Sequence, residues 1–143
     1  MMGSKVEFKN NTPAVLRRVE KGEYETFKHA GRSLAKEIKK SIRHRSDPSK
    51  TAEPGETPFQ HQPGFFKRAV WVVYDDLPTS ILVGFRKSKV GHVAATHEHG
   101  LMEDVDLPSG MIIRTKYPER PIVAPALERN LGRFHRDWRA ALT

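Results

Sequence analysis

The chain has 143 residues, with 25 Lys and Arg against 17 Asp and Glu and no cysteine. That length suits one domain with a modest core, and the lack of cysteine excludes a disulfide framework, a thiol nucleophile and a cysteine-based zinc site, pointing to folding in a reducing cytoplasm. No apolar run approaches the roughly 18 residues of a membrane span, and Met1 to Asn10 lacks a signal-peptide layout, so neither a membrane nor a secretory role is expected.

The charge is uneven. Residues 1–50 hold 13 basic and 6 acidic side chains, while residues 51–143 hold 12 and 11. Such asymmetry suits contact with a polyanion, although a solvated helix face that keeps the protein soluble is the commoner cause of it.

Thr12-Pro13 reads as a helix start. Leu16, Val19, Phe27, Ala30, Leu34, Ile38 and Ile42 then recur near the helical period and form an apolar face, opposite a basic one. One helix from Thr12 to Arg43 would be about 48 Å long, longer than the diameter of about 37 Å expected for a domain of this size. The helix is therefore expected either to break at Gly22 or Gly31, or to project and pack on another copy. Residues 45–64, rich in proline and glycine, are expected to form an extended loop, of which Asp47 to Gly64 is mobile in a free subunit and ordered against a neighbour.

Phe65 to Tyr74 reads as a central strand covered on both faces, and Asp75 to Thr79 as a turn. Ser80 to Phe85 is its antiparallel partner, and Arg86 to Gly91 a second turn. His92 to His99 is ambiguous between strand and helix. Met111 to Lys116 gives a further strand, followed by an extended crossing through Pro118, Pro121 and Pro125. Pro125 opens a final helix whose apolar face carries Leu127, Leu131, Phe134, Trp138 and Leu142. The expected fold is a single α+β domain: long N-terminal helix, long loop, antiparallel sheet of about four strands, and C-terminal amphipathic helix.

Catalytic signatures are sparse. If residues 92–99 form a strand, His97 and His99 share a face and could reach one metal with Asp104, Asp106 or His135. Two histidines at that spacing are a weak signal, and no metal or cofactor is assigned. Asp75-Asp76 reads as turn chemistry. No nucleophile elbow, phosphate loop or dinucleotide fingerprint occurs. Lys36, Lys39, Lys40, Arg43 and Arg45 form a patch suited to the phosphates of double-stranded DNA, without the interleaved aromatics that stack single-stranded bases.

Several short motifs occur in a telling order: Pro54-Gly55-Glu56-x-Pro58, a glycine strand start at Gly64, Val83-Gly84, His97-Glu98-x-Gly100, and Arg120-Pro121-x-x-x-Pro125-Ala126-Leu127. Together, over about residues 24–143, they resemble the tail-component and neck-protein families of tailed bacteriophages and prophages, which include the Mu-like virion morphogenesis proteins. The resemblance implies a non-enzymatic virion protein, assembled in the host cytoplasm and placed as a ring, commonly a hexamer, at the head–tail junction. Neck, tail-terminator and tail-completion roles all stay open, and other neck and tail proteins would be its partners. Glu98, Gly100, Arg120, Pro121 and Pro125 are the structural motif, with Glu98 expected to pair with a basic group such as Arg120. The oversized helix and loop make Leu16, Val19, Phe27, Leu34, Ile38, Pro54 and Phe59 the expected interface between copies. The alternative function is a double-stranded-DNA-binding protein that lays its basic helix on phosphates. A metal-dependent hydrolase using His97, His99 and Glu98 is a third class.

Overall fold

The computed structural model describes residues 12–44, 47, 49–60, 64–74 and 80–142. Along the chain these form α1 (Thr12–Ser41), β1 (Arg43–His44), β2 (Phe59–Gln60), α2 (Phe65–Ala69), β3 (Val70–Tyr74), β4 (Ile81–Phe85), α3 (Lys87–His99), β5 (Leu101–Asp106), β6 (Ile112–Tyr117) and α4 (Val123–Leu142). The class is α+β with a long helix at one end and an amphipathic helix at the other.

Helix α1 runs unbroken for 30 residues, about 45 Å, so neither Gly22 nor Gly31 ends it. Both glycines are packing notches. A Cβ on Gly31 would sit 3.0 Å from side-chain carbons of both Val72 and Ile81, and one on Gly22 would sit 3.1 Å from the carbonyl oxygen of Ala141. Close approach of sheet and helix offsets the cost of about 1 kcal/mol that glycine carries in a helix.

Helices α1 and α4 pack antiparallel. The Phe27 ring meets Phe134 at 5.9 Å and Trp138 at 5.4 Å between centroids. Further along α1 and earlier on α4, the Ser33 hydroxyl donates to Asn130 Oδ1 at 3.1 Å, and Glu37 lies 4.0 Å from Arg129. Because Gly22 already meets Ala141 near the end of α4, the first ten residues of α1 extend about 15 Å past that contact. There Val15 and Leu16 are 58% and 56% exposed.

The core beneath α1 contains Ile38, Ile42, Val90 and Ile122, all fully buried, with Ala35, Phe66, Ala69, Val70, Ala94 and Ala126 around them. The strands form three separate two-stranded ladders rather than one sheet of about four. Strands β3 and β4 pair antiparallel from Val70↔Phe85 to Tyr74↔Ile81, and β5 and β6 from Leu101↔Tyr117 to Asp106↔Ile112. Helix α3 separates the two ladders, because the segment expected to turn at Arg86 to Gly91 is helical and continues to His99. Val90, Ala94 and His97 follow helical spacing, and the first two are buried.

Two more boundaries differ from the sequence expectation. The first half of the expected strand at Phe65 is helix α2, because Gly64 turns the chain at φ 78° and Arg68 N–H donates to its carbonyl at 2.8 Å. That places Phe66 and Ala69, three apart, in the core. Strand β5 has no counterpart in the sequence reading, since three acidic residues in six conceal its alternation. Helix α4 starts at Val123, two residues before Pro125. The expected turn at Asp75 to Thr79 lies outside the described residues. Among the described residues, no helix is long and apolar enough to cross a membrane.

Candidate functional site

Glu98, Gly100, Arg120, Pro121 and Pro125 lie at one node, at the start of α4. The first amides of any helix have no intrahelical acceptor, and the first turn of α4 contains no acidic residue. Glu98 supplies the acceptor from the end of α3. Its Oε2 accepts from the N–H of Ile122 at 2.7 Å and of Val123 at 2.9 Å, and its Oε1 from Ala124 at 2.8 Å. The next residue, Pro125, has no N–H to satisfy. One carboxylate and one proline thus complete this helix start, with the negative charge at the favourable end of the dipole.

Glu98 therefore does not pair with Arg120, as the sequence had suggested. Three backbone donors outcompete one flexible guanidinium for the same oxygens. Arg120 instead donates through Nε to the carbonyl of Ala52 at 2.9 Å, while its own N–H donates to His97 O at 2.6 Å. Gly100 turns the chain between α3 and β5 at φ 69°, and a Cβ there would lie 2.9 Å from the Tyr117 carbonyl oxygen. Only glycine fits, by both conformation and space.

The loop at 45–64 is stitched to this node within its own chain, contrary to the expectation that it lacks an intramolecular partner. Gly55 N–H donates to Glu119 O at 2.8 Å, the Thr57 hydroxyl donates to Pro121 O at 3.3 Å, and β1 pairs with β2 in parallel. Ala52 and Pro58 are buried, as is Gln60. The extended 118–121 crossing offers unpaired backbone groups, which the loop satisfies in place of a neighbour. Between loop and body lies a cavity of about 380 Å³, walled by Lys50, Ala52, Phe59, Phe66, His97 and Arg120 among others.

His97 and His99 lie on helix α3, not on a strand, so a spacing of two points them to different sides. His97 is half-buried and meets the Phe66 ring edge-on at 5.7 Å, whereas His99 is exposed. Burial, and secondarily the charge of Arg120, push the His97 pKa below its usual 6.5. Among the described residues, no group of three His, Asp or Glu is placed to hold a metal.

The expected interface residues separate into two groups. Ile38 is fully buried in the chain's own core and cannot face a second copy. Phe27 packs on α4, Leu34 packs against the core, and Phe59 is half-buried in β2. These faces are covered because α4 and the loop fold back over them. Leu16 and Pro54 are exposed, and Val19 is half-buried. Of the basic patch, Lys36, Lys39, Lys40 and Arg43 are exposed, and Arg45 lies outside the described residues.

Two further groups of exposed apolar side chains lie on the β-ladders. In the β3–β4 ladder, Val70, Val72, Val83 and Phe85 belong to or pack on the core, while Trp71, Val73 and Leu82 point outward and are exposed, Leu82 by 70%. In the β5–β6 ladder one face carries Leu101, Val105, Ile113 and Tyr117, with Glu103 and Thr115 between them. The other carries Met102, Asp104, Asp106, Lys116, Arg114 and Ile112. Arg114 grips Asp104 through two hydrogen bonds, at 2.8 and 3.2 Å, which holds the Asp104 carboxyl below its usual range. Sequence reasoning gave β6 as a strand but missed β5, and with it the apolar face that the two strands share. Alternation in 112–117, with its partner strand hidden by acidic residues, was the available signal.

Set against protein-family models, curated proteins and solved structures, the chain finds no match in any of the three.

Proposed function

We propose that the chain is a non-enzymatic structural subunit of a tailed-bacteriophage or prophage virion. It assembles in the host cytoplasm into a cyclic homo-oligomer, taken as a hexamer from the resemblance, and serves at the head–tail junction as a neck, tail-terminator or tail-completion protein. Its partners are further copies of itself and other neck and tail proteins, with double-stranded DNA passing close by.

The observation that carries this function is the convergence of the motif residues at the Glu98 node. Pro54-Gly55 through its loop, Glu98, Gly100, Arg120, Pro121 and Pro125 lie far apart in sequence, yet they build one joint between α3, the crossing and α4. Each has an architectural task. The most enclosed carboxylate of the motif is occupied by three backbone amides, which suits a rigid subunit better than acid–base chemistry. Apolar side chains left bare on β3–β4 and β5–β6 add to this, since exposed apolar patches mark contact surfaces.

The exposed Lys36, Lys39, Lys40 and Arg43 favour a second reading, double-stranded-DNA binding through α1. Titration of the purified chain with duplex DNA across a salt series separates the two. A phosphate binder loses affinity steeply with salt, by a slope of about −0.9 per phosphate neutralised. Electron microscopy of the purified protein and peptide mapping of purified phage particles test the structural role. Rings with an open channel and presence in particles are expected; a monomer absent from particles would refute it.

A further inference from the structure

The β3–β4 ladder and the β5–β6 hairpin each leave one apolar face bare, and their charges differ in sign. At the edge of the outer β3–β4 face the Arg86 guanidinium lies 3.1 Å from the centre of the Trp71 ring. Among the described residues Arg86 makes no ion pair with a carboxylate. At the middle of the apolar hairpin face stands Glu103, flanked by Leu101 and Val105 and opposite Thr115. It too makes no ion pair among the described residues.

We propose that the hairpin of one copy lays its Leu101–Val105–Ile113–Tyr117 face on the Trp71–Val73–Leu82 face of the next copy's β3–β4 ladder, with Glu103 meeting Arg86. This proposal rests on the ring-forming function and identifies the surfaces that form the ring.

Charge selects this pairing from the possible ones. Hairpin on hairpin would oppose Glu103 to Glu103, and ladder on ladder would bring Arg86 to Arg86; both juxtapose like charges on a drying surface. Hairpin on ladder pairs opposite charges and stacks two short twisted sheets of five and six residues per strand, with matching length. Two different faces of one chain then meet. The contact is head-to-tail, each copy gives a hairpin and receives one, and repetition closes a ring if the rotation allows. Such burial also answers the marginal stability of a bare two-stranded hairpin.

The absence of native cysteine makes the test clean. Ile113→Cys and Leu82→Cys are introduced separately into the full chain, and the two variants are mixed. They are then treated with a bis-maleimide whose span matches the roughly 10 Å between stacked sheets. Cross-linked dimers are expected in the mixture and not in either variant alone, and a chain carrying both substitutions should give a ladder of higher oligomers. In a second arm, Glu103→Lys and Arg86→Glu should each weaken assembly by about tenfold or more, and the double swap should restore it. Thermal unfolding checks that each variant folds. Assembly of the mixed variants with no Ile113–Leu82 cross-link formed, or Ile113→Cys chains cross-linking to each other, would overturn the pairing and leave the ring standing. Failure of the unmodified chain to assemble at any concentration would overturn both.

Discussion

The β3–β4 and β5–β6 ladders have the same construction and opposite fates. Each is a two-stranded antiparallel sheet, five and six residue pairs long, with apolar side chains on at least one face, interrupted in β5–β6 by Glu103 and Thr115. The inner face of β3–β4 is closed off by α1, where Gly31 lets Val72 and Ile81 come within contact of the helix axis. The corresponding face of β5–β6 stays in solvent, with Leu101, Ile113 and Tyr117 each more than 40% exposed. On the proposed reading, the difference separates surface used to hold the chain together from surface kept for a second copy. It also gives a physical meaning to the two-sided apolar pattern of Val70 to Tyr74: α1 covers one side, and the proposed second copy covers the other.

Charges placed on the two ladders should break or sustain this contrast. Val72→Asp drives a carboxylate against α1 and is expected to cost about 3 to 4 kcal/mol of stability, measured by denaturant unfolding. A loss under 1 kcal/mol would mean that the inner face is not core. Removing the Glu98 node ranks next. Glu98→Ala strips three amides of a charged acceptor and should cost about 2 to 3 kcal/mol, with hydrogen exchange rising first at Ile122 to Ala124. Gly100→Ala combines positive φ with a clash against the Tyr117 carbonyl, for about 2 kcal/mol.

A smaller effect is expected from pH. The folded-state pKa of His97 is lowered by burial and by Arg120, so below 6.5 the unfolded chain binds the proton more readily than the folded one. Its contribution to stability is full above pH 6.5 and is lost as pH falls toward the lowered value. His97→Gln should therefore flatten the decline in melting temperature over that window relative to the parent; an unchanged slope would show that His97 is not sensed there. Smallest of all, Ile113→Asp on the hairpin should alter the melting temperature of the dilute chain by no more than the equivalent of about 0.5 kcal/mol. A large loss would place the hairpin in the fold's core economy after all.

Much of the frame was legible because it rests on long periodic signals. The spacing from Leu16 to Ile42 announced α1, and Leu127 to Trp138 announced α4. The pairing of β3 with β4 followed from the β-branched and aromatic residues of Val70–Tyr74 and Ile81–Phe85. Short elements were less legible. Phe65-Phe66 looks like strand chemistry, yet Gly64 starts a turn of helix that only tertiary packing of Phe66 and Ala69 explains. Leu101–Asp106 conceals a strand behind acidic residues whose neighbour in space, Arg114, is unreadable from local sequence. At the node, the resemblance singled out Glu98 and Arg120, and the reading paired them with each other. A lone Glu and a lone Arg invite a salt bridge, while the three amides that in fact claim Glu98 leave no mark in residue identity. For the loop, proline and glycine content pointed to irregular chain but gave no sign of the short strand Phe59–Gln60 or of the 118–121 crossing that holds it.

The central claim is that the bare faces exist for further copies of the same chain. Mass photometry and sedimentation of the full chain over a wide concentration range test it most directly. A discrete closed oligomer that grows at the expense of monomer as concentration rises, and that Ile113→Asp returns to a folded monomer, is the predicted result. A monodisperse monomer at the highest attainable concentration would contradict it.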